Sequence, residues 1–525
     1  MKIIFVNIYS TDTMAEYLLS SYVLKAYIES VSDGDSPGIE VLNFSSGSSP
    51  EEIADSINSR SPDVAGFSCY VWNIESVLSV AEQLRKTTGA ARIFGGPEIT
   101  IERIATFSDP RVADYYVVGE GEVTLKELLE AIRPGCGKAV AMPPGVAYWD
   151  GGKIAFNKRE GRITNLDSIP SVYLSGAMES RHYDRGQAFL ETQRGCRFKC
   201  KYCVYHKNLS SISYYSLERI FDELRFLIEE KNIQALRIFD SVFTSDLGRA
   251  KSIVEFLIDL RDSAGVRLPW IYWEYTYNSI DEEFLELLSG LKTKEFILNS
   301  SEVEPVDRPQ HYSELLRDYT AINCVGVQSF NRDSLRSVNR MKVDRDRFGE
   351  FMGLMKKFNL VLKADLILGL PYETIDTYFD GLEYFAEFFR GTDHILNIHR
   401  LQILPGSDLE KCCGEFGIDY SAAAPHNVFA TSTMSREDMN TASRLTALIF
   451  RILNSPLREK YFEAKNRSKL SVRVIAEKIY QLMISDDTVN KSRLVVSELV
   501  DDSYWNREVF EEIKSEWLVK TLNSI

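Results

Sequence analysis

Cysteine and histidine are scarce, 8 and 6 of 525 residues, so a concentration of either stands out. Long apolar runs are missing too. The opening MKIIFVNIYS carries one lysine and a short apolar stretch that Asn7 interrupts before a signal-peptide core forms, and no later run approaches the roughly 20 apolar residues of a membrane span. A soluble, cytoplasmic protein with no membrane partner is the expectation, and in that compartment thiols stay reduced. Positive charge is outnumbered, with 61 Lys and Arg against 76 Asp and Glu and a formal charge of −15. That balance argues against a general nucleic-acid or anionic-membrane surface, so no nucleic-acid partner is expected, although a local basic groove is compatible with it. Repeats and low-complexity tracts are lacking as well.

What is present is globular in composition. With 44% hydrophobic and 26% charged residues, a chain of this length has apolar material for two or three domains. Residues 1–134 alternate KIIFVNIY, IEVLNFSS, VAGFSCYV, RIFGGPEI and YYVVGEGE with helical patterns, which predicts an α/β domain with a doubly wound, Rossmann-like parallel sheet. Ligands of such sheets sit at the carboxyl ends of the strands, so the loops SCYVWN, GGPEIT and GEGEVT form one face of a candidate site. Gly95, Gly96, Gly119 and Gly121 would let backbone approach a ligand; tight turns without a ligand are the competing reading.

Residues 135–185 weaken into Pro, Gly and turn residues and read as a connector, with VAYWDGGKIAF a hairpin across Asp150 and Gly151. Residues 186–433 form a second alternating block whose strands are AFLETQ, ALRIFD, WIYWEY, INCVGVQS, LKADLILG and ILNIHRLQIL. Six strand–helix units predict a full or partial (β/α)6 barrel. Between the first two strands, Leu217, Ile220, Phe221, Leu224, Leu227 and Ile228 have the spacing of one helix face. Residues 434–525 open with Ser435 and Asp438 spaced as a helix cap and continue as a helical region, structural or substrate-covering in role.

The cysteines concentrate in QRGCRFKCKYCVYHK. Cys196, Cys200 and Cys203 form C-x3-C-x2-C directly after AFLETQ, at the carboxyl end of the barrel's first strand, where such folds keep their active sites. Three thiolates on a short loop can bind three irons of a cubane and leave the fourth open to a substrate or cofactor. The alternative is a closed Cys3His zinc site completed by His206, although structural zinc sites usually draw ligands as two separated pairs. Cys69, Cys136 and Cys324 stand singly and read as packing residues, and the adjacent Cys412 and Cys413 have no chelating neighbour in sequence.

On these motifs the sequence resembles the radical S-adenosylmethionine (SAM) superfamily. The resemblance implies that Cys196, Cys200 and Cys203 hold a [4Fe–4S] cluster whose open iron is chelated by SAM, and that Tyr202 lies near the adenine. RIFDSVFTSD falls where many members carry a glycine-rich motif and departs from it, leaving Asp240 as a candidate for the SAM amino group. GVQSFN matches the fourth-strand motif and implies Gln328 and Ser329 near the ribose or methionine moiety. Arg340 is the implied partner of the SAM carboxylate, since a guanidinium fork suits that geometry. LILGLPYET and LQILPGSDL match the fifth- and sixth-strand segments, with Gly369, Pro371 and Gly406 shaping backbone.

Residues 1–134 in turn resemble the cobalamin-binding domain placed ahead of many radical SAM cores, through VAGFSCYVWN, IFGGPEIT and DYYVVGEGEVTLKELL. The implied contacts are Ser68, Tyr70, Trp72, Gly95, Gly96, Gly119 and Glu120, with Trp72 also readable as a core residue. The first histidine is His182, so no Asp-x-His-x-x-Gly motif offers a lower ligand to cobalt from this domain.

The resemblance implies a cobalamin-dependent radical SAM methyltransferase, acting on a carbon of a small-molecule substrate through a 5′-deoxyadenosyl radical and methylcobalamin, and fed by a low-potential electron donor such as flavodoxin or ferredoxin. A radical SAM cyclase or rearrangement enzyme using cobalamin without net methyl transfer is the alternative, and a non-catalytic cobalamin or zinc module is a third reading. Residues 302–321 lengthen one connection and read as a lid, a substrate loop or a surface insertion. Glu274, Tyr275, Tyr277 and His399 are expected at the barrel mouth, as substrate-binding or proton-transferring residues or as packed strand residues.

Overall fold

The computed structural model describes residues 1–9, 18–32, 37–133, 141–179, 186–205, 211–291, 321–485 and 515–525. His182, His206, Cys136 and nearly all of 302–321 lie outside the described residues. The chain divides into two compact units. The first comprises Met1–Arg197, Val204–Leu236 and Leu404–Ser407; the second comprises Phe198–Cys203, Arg237–Ile403 and Asp408–Ile525.

In the first unit, β1 (Lys2–Tyr9), β2 (Gly38–Ser45), β3 (Val64–Ser68), β4 (Ala91–Gly95) and β5 (Tyr115–Val117) pair in parallel in the order β2-β1-β3-β4-β5. Central strands buried on both faces read as unbroken apolar runs, and Ile3, Ile4, Val6, Ala65 and Phe94 are fully buried. The hairpin β6 (Val146–Asp150) and β7 (Lys153–Phe156) is more than a connector. It adds to β5 as an antiparallel edge and makes the sheet seven-stranded. Its turn lies one residue later than expected, at Gly151 and Gly152, both at positive φ, the conformation a two-residue hairpin of this twist requires.

A six-stranded parallel sheet follows, in the order β15-β14-β13-β12-β11-β8, and every expected strand of the second block is present. Its members are β8 (Gln187–Leu190), β11 (Ala235–Ile238), β12 (Trp270–Tyr275), β13 (Ala321–Gln328), β14 (Val361–Leu368) and β15 (Ile395–Arg400). Two small antiparallel pairs complete the strands, β9 (Gln193–Arg194) with β10 (Ser213–Tyr214) and β16 (Asp419–Tyr420) with β17 (Val428–Ala430). Sequential strand order with β15 and β8 at the two edges, and no strand joining them among the described residues, is that of a partial barrel. The helix Leu217–Arg225 begins at Ser216, whose side chain accepts from Arg219 N–H, and widens into a π turn over Phe226–Glu230 that keeps Leu227 and Ile228 buried. The described C-terminal segments are helical, and Ser435 and Asp438 form a reciprocal capping box at the start of Arg436–Leu453. Among the described residues no helix is long and apolar enough to cross a membrane.

Candidate active site

The cysteine loop is held through its backbone. In the second unit Lys201 N–H donates to Val338 O (2.9 Å), Leu409 N–H to Lys201 O (2.9 Å) and Asn339 Nδ2 to Lys199 O (2.9 Å), which spares the thiols from a structural task. Cys200 is buried and Cys203 half-buried; Cys196, at the end of the first unit, is half-buried too. Arg340 donates from Nη1 to Cys200 Sγ (3.6 Å) and from Nη2 to Gly326 O (2.5 Å), over the Phe198 ring. A fixed positive charge therefore stands beside a thiol. Burial pushes the neighbouring Tyr202 phenol up, against the pull of Arg340. A Cβ on Gly326 would lie 2.4 Å from Gln328 Nε2 and 3.3 Å from Arg340 Nη2, so any larger residue would push these two side-chain ends out of their present places.

Gln328 ends β13 after a register shift, with φ +70, and is half-buried. Ser329 is spent on the fold. Its Oγ donates to Glu373 Oε1 (2.5 Å) and accepts from Asn331 N–H (2.9 Å). Glu373 is 2% exposed, and burial pushes its carboxyl up to about 8. Asp240 is buried, whereas Phe239 beside it is 47% exposed.

The first unit shapes its strand ends with backbone. Gly96 has φ +112, and a Cβ there would fall 2.5 Å from Cys69 O and 2.9 Å from Cys69 N, a clash with main chain that cannot yield. Buried Asn73, which belongs to no motif that singles it out, organises the adjoining loop: Oδ1 accepts from Tyr70 N–H (2.7 Å) and Nδ2 donates to Ser68 O (2.9 Å) and Ile8 O (3.0 Å). Ser68 Oγ lies 3.1 Å from Ser20 Oγ and 3.2 Å from Ser21 Oγ. Tyr70 stacks on Trp72 at 4.4 Å, and Trp72 is 44% exposed, which removes its reading as a core residue. Gly95 ends β4 and Gly119 sits at φ +93. Glu120 is engaged elsewhere. Its Oε2 accepts from Ile163 N–H (3.0 Å), and its Oε1 is 3.4 Å from Arg194, which also meets Glu122 (2.7 Å) and Glu191 (2.9 Å). Burial pushes the Glu191 carboxyl up, with Arg194 opposing.

A third constellation lies on β11 to β15 in the second unit. Successive strand residues point to opposite faces, so Tyr272 and Glu274 share a face that Trp273 and Tyr275 do not. This corrects the expectation for two candidates. Tyr275 is 2% exposed and packs edge-on against Phe284; Tyr277, past the strand end, is 7% exposed and packs against Phe348. Glu274 and His399 are exposed. Register places Glu274 beside Cys324, Cys324 beside Lys363, and Asp365 beside Asn397. Tyr272 Oη donates to Glu274 Oε1 (3.0 Å), Cys324 Sγ–H to Asp365 Oδ2 (3.1 Å) and Asn397 Nδ2 to Asp365 Oδ1 (2.5 Å).

Electrostatics separates the two carboxyls. Crowding by the sheet and then Asp365 push Glu274 up, and burial likewise keeps the Cys324 thiol protonated as a donor. Burial works against charge on Asp365 too, but Lys363, His399 and Asn397 outweigh it and hold that carboxyl well below the usual range. Lys363, Asp365 and Asn397 were missed from sequence. The signal was available as polar residues at alternate positions of LKADLILG and ILNIHRLQIL.

Comparison with known proteins bears on both units. The B12 binding domain family matches residues 25–129 and the Radical SAM superfamily matches residues 190–384. This chain carries a B12-binding domain and a radical SAM domain. It is 27% identical over 370 residues to the cobalamin-dependent radical SAM methyltransferase TokK of Streptomyces tokunonensis, covering 68% of this chain and 49% of that protein. It is 26% identical over 403 residues to the 2-(S-pantetheinyl)-carbapenam-3-carboxylate methyltransferase of Streptantibioticus cattleyicolor, covering 72% of this chain and 55% of that one. The chain thus spans about half the length of the curated relatives it matches. Its fold is similar to that of the cobalamin-dependent S-adenosylmethionine radical enzyme OxsB, solved with aqua-cobalamin and SAM, with TM-score 0.61 and 15% identity over 100% of this chain and 80% of that one.

The residues present in this chain fit the groups these domains take, a [4Fe–4S] cluster with SAM and a cobalamin. Three cysteines outside any disulfide on a backbone-anchored loop suit a cubane with one open iron. Among the described residues no three His, Cys, Asp or Glu converge on one metal ion. A cubane does not ask for that, because each thiolate takes a different iron. The B12-binding domain offers a glycine-shaped rim and a stacked aromatic pair, half-buried Tyr70 on exposed Trp72, in place of a histidine ligand.

Proposed function

We propose that this protein is a cobalamin-dependent radical SAM enzyme that methylates an unactivated carbon of a small biosynthetic intermediate. The observation that carries this reading is the B12-binding domain ahead of a radical SAM domain in one chain similar to two named methyltransferases. When bound, the cluster with SAM supplies a 5′-deoxyadenosyl radical, and cobalamin supplies the methyl group. Cys196, Cys200 and Cys203 hold the cluster. Arg340 favours an anionic group, the SAM carboxylate, beside the cysteine loop, with Tyr202, Gln328 and Asp240 lining the rest and Ser329 bracing Gln328 through Glu373. Ser68, Tyr70, Trp72, Gly95, Gly96 and Gly119 carry cobalamin, while Glu120 fixes their rim. Glu274 and His399 meet the substrate. A low-potential donor such as flavodoxin or ferredoxin delivers electrons.

The test is anaerobic reconstitution with iron, sulfide, cobalamin and a reductant, followed by turnover of candidate substrates with methyl-deuterated SAM. Label in the product is expected. An unlabelled product with a new ring or oxygen replaces methyl transfer by cyclisation or rearrangement, and absence of SAM cleavage to 5′-deoxyadenosine removes the enzymatic reading altogether.

A further inference from the structure

The polar constellation on β14 and β15 contains more order than a charged lining needs. Lys363, 3.8 Å from Asp365 Oδ1, is the strongest influence holding that carboxyl ionised independently of His399, so both its oxygens only accept hydrogen bonds, from Asn397 and Cys324. Asn397 Nδ2 stands 2.5 Å from Asp365 Oδ1. Reversing the amide would set two oxygens at that distance, so its NH2 must face the carboxylate. The same nitrogen lies 2.8 Å from His399 Nε2. An amide nitrogen accepts no hydrogen bond, so its second hydrogen goes to His399 Nε2, which must present a lone pair. In the neutral ring the proton then resides on Nδ1.

That nitrogen has no partner among the described residues, and the His399 side chain is 59% exposed. We propose that Asn397 and Asp365 are positioning residues that fix His399 as a hydrogen-bond donor, through Nδ1–H, to an acceptor oxygen of the substrate. The substrate assignment rests on the methyl-transfer reading; the donor state of His399 does not. His399 is thereby excluded as an acceptor of a substrate proton through Nδ1. The acceptor role falls to Glu274, whose Oε1 already takes the Tyr272 hydroxyl and whose Oε2 has no hydrogen-bond partner among the described residues. The substrate accordingly carries at least one acceptor oxygen near the reacting carbon.

The experiment is nitrogen NMR of the full-length chain labelled with 15N-histidine, its cluster in the diamagnetic oxidised state and no substrate added. Six ring systems are expected from six histidines, with His399 assigned by its disappearance in His399→Gln. The neutral His399 ring should carry its proton on Nδ1. Asn397→Leu should shift the tautomer ratio roughly tenfold toward Nε2–H, the form free histidine favours, because one hydrogen bond sets the balance. Cys324→Ala, which touches the other oxygen of Asp365, should leave it unchanged. A wild-type ring protonated on Nε2 overturns the proposal without reference to any variant's folding. Failure of label transfer from SAM would remove the methyl-transfer reading and leave this tautomer result standing.

Discussion

The two units build their candidate sites from different materials. The B12-binding unit uses main chain: Gly96 packed against the Cys69 backbone, Gly119 at positive φ, and Asn73 tying two carbonyls and an amide. The radical SAM unit uses side chains: Arg340 on a thiol, and Asp365 between Lys363, Asn397 and Cys324. A bulky cofactor taken on a broad face needs shape, which backbone supplies. A metal cluster and a charged sulfonium need ligands and countercharges, which only side chains supply. Substitutions should therefore fail differently in the two units, by lost chemistry in one and by lost folding in the other.

The largest effect belongs to Cys200→Ser. It should abolish the cluster's visible absorbance and SAM cleavage completely, since the cubane loses an iron ligand, while far-ultraviolet circular dichroism and cobalamin binding persist because the loop's anchors are backbone bonds. Joint loss of fold would break the contrast. Next is Arg194→Met. It leaves Glu120, Glu122 and Glu191 facing one another without a cation, and removing one partner of buried ions costs about 3–5 kcal/mol. Denaturant unfolding should show that loss, and adding Glu122→Gln should recover part of it. Gly96→Ala follows, at roughly 1–3 kcal/mol for a strained backbone position, read as a lower unfolding midpoint together with weaker cobalamin binding. If Gly96→Ala leaves both untouched, the rim is not a backbone device.

The strands were legible because a parallel sheet buried on both faces writes itself as apolar runs, and all six of the second block are found where the runs lie. The pleat was legible too, yet adjacent Glu274 and Tyr275 cannot share a face; Glu274 is exposed and Tyr275 buried. The cysteine triplet declared itself by spacing. The Arg194 node could not, since Glu120, Glu122, Glu191 and Arg194 come from separate segments and carry no joint pattern. Nor could Asn73 or the edge pairing of the β6–β7 hairpin, both set by tertiary packing that local sequence does not encode. Ser329 was read as a ligand contact because its motif said so, whereas its hydroxyl is committed to Glu373.

That last pair yields the most selective effect, because it acts through pH alone. Glu373 is fully enclosed, and burial raises its carboxyl from 4.5 to about 8, so the folded chain binds this proton more tightly than the unfolded chain does. Below pH 4.5 both states are protonated and the site carries no penalty. Between about 4.5 and 8 the unfolded chain releases the proton and the folded chain keeps it, so stability falls with rising pH by about 1.4 kcal/mol per unit. Above 8 both states are ionised and the loss is complete. Glu373→Gln keeps the shape and a hydrogen-bonding group for Ser329 but has no proton to hold. The difference in unfolding free energy between the two proteins should therefore grow from pH 5 to pH 8 in favour of the variant, and parallel pH curves would show that Glu373 is already ionised in its pocket. No such slope is expected of Gly96→Ala, whose cost is steric, so the pH dependence itself tells side-chain support from backbone support.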